Sequence, residues 1–144
     1  MNECVFLTIY HQHFKLEAPM KSTLSTLWLF ILLNVLFRDL HDLFRPGAIT
    51  EIETGTINGT QISNELLLFA AFVIEIPILM VLLSKILHYK INRRLNIVIP
   101  PLLALSYLHN GVRDLDDVFF MAIVLLALLC TSVLAWRWQA NTRV

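Results

Sequence analysis

The chain has 144 residues, of which 57% are hydrophobic and only 15% charged, and its mean hydropathy is +0.68. A soluble domain of this size usually carries about 25% charged residues, so this composition excludes an ordinary water-facing surface and makes a membrane the expected solvent. Lys plus Arg and Asp plus Glu both number 11, so the basic footprint of a nucleic-acid binder is missing and no nucleic-acid partner is expected.

The first 19 residues contain Tyr10, His11 and His13 but neither a basic leading stretch nor a small-residue cleavage site before Met20. They do not read as a signal peptide. Residues 1–21 are therefore expected as a disordered tail, or as lying ahead of a start at Met20.

The fold class expected for 22–138 is all-α, a polytopic membrane four-helix bundle, with a short tail over 139–144. A first span runs over 22–44, where Arg45-Pro46-Gly47 breaks the helical pattern. The 45–61 connection holds Gly47, Gly55 and Gly59, and its alternating stretch around Asn58-Gly59 predicts a short hairpin.

A second span, 62–87, is long enough to cross a hydrocarbon core of about 30 Å with tilt. It carries Glu75 and Pro77. The third, 95–108, is short and contains Pro100-Pro101, so it reads as a kinked or partly buried span. The fourth, 118–136, has no charge and follows Asp114, Asp116 and Asp117, which suit a helix N-terminus. Trp136 and Trp138 are expected as its interfacial belt.

Four spans place both termini and the 88–94 loop on one side. That side holds Lys15, Lys21, Lys85, Lys90, Arg93, Arg94, Arg137 and Arg143, against Arg38, Arg45 and Arg113 on the other. Eight basic residues against three predict cytoplasmic termini in an inner (plasma) membrane. Most acids fall at the outer connections.

Polar residues near the spans are the candidate chemistry. On a helix of 100° per residue, Arg38, His41, Asp42 and Arg45 share one face, while Asp39 lies off it. An arginine inside a span needs a partner or water, and Asp42 at i+4 is the nearest carboxylate. Either Arg38 snorkels and pairs with Asp42, or these residues line an outer vestibule together with His109, Arg113, Asp114, Asp116 and Asp117. The spacing matches no metal-ligand motif, and no cofactor motif is present.

Glu75 lies 13 positions from Ile62 and 12 from Leu87, near the midplane. It is expected to be neutral or hydrogen-bonded inside the bundle, with Asn34 and Thr131 at similar depth. A proton relay or a ligand contact is the functional alternative. Cys4 and Cys130 are 126 positions apart and form no redox or zinc pattern; Cys130 is expected as an apolar packing residue.

The blocks LWLFILLNVLFRDLHDLFRPG, NGTQISNELLLFAAFVIEIPILMVLLS and NGVRDLDDVFF together resemble a group of small bacterial four-helix integral membrane proteins catalogued as a domain of unknown function. The resemblance covers about residues 20–138 and implies the four-span fold without an activity. A looser likeness links the chain to the wider set of four-helix membrane bundles that includes DoxX-like proteins and the sterol-isomerase type. That likeness is one of fold alone and carries over no catalytic residue.

Three functions remain. The reading with fewest assumptions is binding of a lipid, quinone or other amphipathic small molecule with its polar end at Arg38, His41 and Arg113, with membrane lipids as the surrounding partners. Acid–base chemistry on a hydrophobic substrate would use Glu75, His41 or an outer aspartate, although no nucleophile constellation accompanies them, which favours a non-enzyme. Proton or ion movement would use Glu75 as a central relay. The sequence leaves the oligomeric state open.

Overall fold

The computed structural model describes residues 2–57, 59–109 and 114–139, with side chains from Ala18 onward. In chain order it has α1 (Asn2–Asp42), α2 (Ala48–Glu53), β1 (Thr56–Ile57), β2 (Thr60–Gln61), α3 (Asn64–Ile86), α4 (Tyr89–His109) and α5 (Leu115–Arg137). The described residues are helical apart from one small hairpin and the short connections. Among the described residues, three segments are long and apolar enough to cross a membrane: Ala18–Asp42, Asn64–Ile86 and Leu115–Arg137.

α1 is helical back to Asn2, beyond the expected start at residue 22, and it stops at Asp42, two residues before the expected end. The chain then turns through Phe44 N–H to His41 O at 2.9 Å and Arg45 N–H to Asp42 O at 3.3 Å. Pro46 and Gly47 complete the break. Gly47 has φ 88, the left-handed region that a side chain disfavours, and it redirects the backbone into α2.

The expected hairpin is present: β1 and β2 pair antiparallel with Thr56 opposite Gln61 and Ile57 opposite Thr60. The turn uses Gly59 at φ 73. Ile62 N–H donates to Gly55 O at 2.8 Å and closes the loop beneath it. Ser63 then caps α3 by accepting from Leu66 N–H at 3.1 Å.

The expected third span, 95–108, lies inside a longer helix. α4 has 21 residues and continues through Pro100 and Pro101, about 30 Å at 1.5 Å per residue. It has the length of a span but not the composition, because its first two turns carry Lys90, Asn92, Arg93, Arg94 and Asn96. What holds this polar segment is its inward face, where Asn92, Asn96, Pro100 and Leu103 are buried.

α1 packs against α3 and α5, and α4 packs against α5. The shared core consists of Trp28, Ile31 and Val35 from α1, Met80 from α3, Leu103 from α4, and Val124, Ala127 and Leu128 from α5. Toward the start of α4 this core becomes polar. Trp28 Nε1 donates to Asn96 Oδ1 at 2.6 Å, Asn96 Nδ2 to Asn92 Oδ1 at 2.7 Å, and Asn92 Nδ2 to Ser84 O at 2.6 Å. Ser25 Oγ donates to Val81 O at 2.7 Å. Each buried amide thus finds a partner, which offsets the desolvation that two buried asparagines would otherwise cost.

The same end is closed by α5. Arg93 donates to Ala135 O at 3.1 Å and Trp136 O at 2.9 Å, satisfying carbonyls that the helix terminus leaves open. Tyr89 stacks edge-on to Trp138 at 4.9 Å. Trp138 is therefore buried, whereas Trp136 is exposed, so only the latter suits the expected belt. Cys130 is exposed on α5, not packed in the core.

Candidate functional site

The hairpin end of the molecule, where α1 ends and α5 begins, gathers most of the candidate polar residues. Arg38 extends from the last turns of α1, and its Nε donates to Asp117 Oδ1 of α5 at 2.8 Å. The two side chains are 13% and 3% exposed, so this is a buried pair, not a surface one. Asp42 and Asp39 also act electrostatically on the guanidinium. The nearest carboxylate in sequence is thus not the one that takes the hydrogen bond, because Asp117 in the first turn of α5 faces α1 directly.

One turn further along, His41 Nδ1 lies 3.6 Å from Asp116 Oδ2. Its ring also stands 6.3 Å from that of Phe44 and 5.7 Å from that of Phe120. Arg38 and His41 therefore form the face of α1 that meets α5.

Asp42 points to a different neighbour. With Asp39, Leu43, Arg45, Glu51 and Ile52 it lines a half-open recess of about 240 Å³ between the end of α1 and α2. Arg45 Nη2 lies 3.7 Å from Glu51 Oε2 across it. The single face expected for Arg38, His41, Asp42 and Arg45 is split: one part meets α5 and the other meets α2. Asp39, which the helical wheel sets aside, belongs to the second part.

Sequence reasoning also passed over Tyr107 of α4, which is half-buried within electrostatic reach of Asp39 and Arg38. Its position one residue before the expected end of the third span is the only signal for it. The Trp28–Asn96–Asn92 chain was missed as well, although asparagines at i and i+4 share one helix face.

The remaining candidates stand apart. His109 and Asp114 are exposed at the end of α4 and the start of α5, and among the described residues no hydrogen bond or ion pair joins them to the cluster. Asp114 occupies the N-cap of α5 without a side-chain cap hydrogen bond. Arg113 lies outside the described residues.

Glu75 is exposed on α3, so the expected hydrogen bond inside the bundle is not made. The residues expected at its depth bond within their own helices: Asn34 Nδ2 donates to Phe30 O and Thr131 Oγ1 to Ala127 O, both at 2.8 Å. The inward side of α3 is taken by Pro77, Met80 and Ser84. This turns Glu75, two residues before Pro77, outward.

The family of unknown function DUF6326 matches residues 11–143. The chain belongs to this family. No curated protein and no solved structure matches it. The family covers both the Arg38–Asp117 pair and the recess, and supplies no activity for either.

Proposed function

We propose that this chain is an integral membrane four-helix bundle that binds the polar end of a lipid or other amphipathic molecule at its outer, hairpin end. α4 is the fourth membrane helix, carried by its packing on α5 and its buried asparagines. Both termini are cytoplasmic, on the side of the eight basic residues.

The observation that carries the binding reading is the recess. It joins Asp39, Asp42, Arg45 and Glu51 to an apolar wall that includes Leu43 and Ile52. Pockets that enclose a drug-sized ligand run to roughly 300–1,000 Å³, so about 240 Å³ suits a headgroup whose apolar tail continues along the helices. Three carboxylates against one guanidinium favour a headgroup with a cationic part. Arg38 is engaged by Asp117, so the binding role falls to the recess and not to the guanidinium.

Mass spectrometry of organic extracts from protein purified in mild detergent tests this reading. A stoichiometric amphiphile is expected with wild type and is lost when Ile52→Trp fills the recess. Extracts with no such molecule, or with equal amounts from both proteins, would defeat the binding role. The outward position of Glu75 weighs against a relay through the interior between the outer acids and Lys85.

A further inference from the structure

Glu75 stands 11 residues from either end of α3, Asn64 and Ile86, about 16 Å along the axis in each direction. It is exposed, and no hydrogen bond or ion pair joins it to any described residue. On the helical wheel, Leu68, Phe72, Ile78, Leu79 and Leu82 fall within about 60° of it. All are exposed large apolar side chains. The buried residues of α3, Pro77, Met80 and Ser84, occupy the opposite side.

This is an apolar face with a single hydrogen-bonding group at its centre. In a bilayer, lipid tails offer that group neither donor nor acceptor. A glutamate side chain is too short to reach either interface from the midplane, so snorkelling does not rescue it. Whatever covers the face must bring a polar group to the same depth.

We infer that the α3 face centred on Glu75 is a homodimer interface in which Glu75 hydrogen-bonds to the Glu75 of a second copy. Two copies inserted with the same orientation place identical residues at identical depth. A twofold axis along the membrane normal then sets α3 against α3, residue against the same residue. A protonated carboxyl has one donor and free acceptors, so it is complementary to itself. A lipid headgroup would have to leave the interface to reach this point. Ala71, one turn before Glu75 on the same face, leaves room for the two backbones to approach. The inference rests on the membrane insertion proposed above, concerns α3 alone and stands whether or not the recess binds a ligand.

The test uses full-length protein lacking its own cysteines (Cys4→Ser, Cys130→Ala) in phosphatidylcholine vesicles. Leu82→Cys is expected to form a disulfide-linked dimer on oxidation, whereas Leu126→Cys, equally exposed on α5, is not. Energy transfer between labelled copies at falling protein-to-lipid ratios gives the second readout. Glu75→Leu is expected to weaken association about tenfold or more, and Glu75→Gln, whose amide is also donor and acceptor, to retain it. A protein monomeric at every ratio, equal cross-linking at both positions, or association unchanged in Glu75→Leu would each overturn the interface. So would a native mass spectrum showing a monomer with one lipid held through Glu75.

Discussion

Arg38 Nε and Asp117 Oδ1 meet at 2.8 Å, 79 positions apart in sequence, and tie the end of α1 to the first turn of α5. Leu24 and Trp138 share a small apolar cluster at the opposite end of the same two helices. These contacts fix α1 and α5 as antiparallel neighbours. The ion pair also keeps Arg38 out of the recess, which is left to Asp39, Asp42 and Arg45.

Breaking this pair from one side is predicted to be costly, because it leaves a buried charge without its partner. Arg38→Met and Asp117→Leu are each expected to destabilise by about 3 kcal/mol. The double variant should recover much of that loss. Thermal unfolding in detergent, arranged as a double-mutant cycle, checks it. Single variants within about 0.5 kcal/mol of wild type would show that the pair contributes little.

The asparagine chain makes a second prediction. Trp28→Phe preserves most of the ring but strands Asn96 Oδ1, which accepts at 2.6 Å. The expected cost is about 1–2 kcal/mol. Adding Asn96→Leu should give less than the sum of the two single effects, since the partner that suffered is then gone. Strict additivity in urea unfolding would rule out an energetic role for this hydrogen bond.

Much of this architecture was legible in the sequence, and the failures share one cause. The apolar runs gave three of the helices because length and hydropathy are local properties. Asn58-Gly59 marked the hairpin because turn chemistry is local as well. Which face of a helix meets which neighbour is not local. The wheel grouped Arg38 with Asp42 correctly as neighbours, yet α5 claims one and α2 lines the recess with the other. Glu75 was expected to face inward on cost alone, but Pro77 and Met80 occupy the inward side. α4 looked too short because its polar first turns were discounted, although their asparagines are among the residues it buries.

The recess depends on the angle at which α2 leaves α1, and that angle rests on Gly47 at φ 88. An added Cβ would meet no atom within 4 Å, so space is not the obstacle. The conformation is. Gly47→Ala is predicted to cost about 1 kcal/mol and to shift α2, reducing the amount of amphiphile recovered with the protein. Unchanged recovery together with unchanged stability would show that α2 is held by other contacts.

Orientation and insertion can be read from two cysteine positions. Cys130 is exposed on the protein, but it lies seven residues inside the end of α5 at Arg137, about 10 Å along the helix. In intact membranes a charged thiol reagent is predicted to leave it unmodified, because lipid covers that face, and to label it once the protein is unfolded in detergent. A cysteine introduced at Thr54, beside the hairpin, is predicted in a Cys130→Ala background to react with the same impermeant reagent from outside the cell. Rapid labelling of Cys130 in intact membranes would remove α5 from the bilayer. Labelling of Thr54→Cys only from the cytoplasmic side would invert the topology and place the recess, with any ligand it holds, inside the cell.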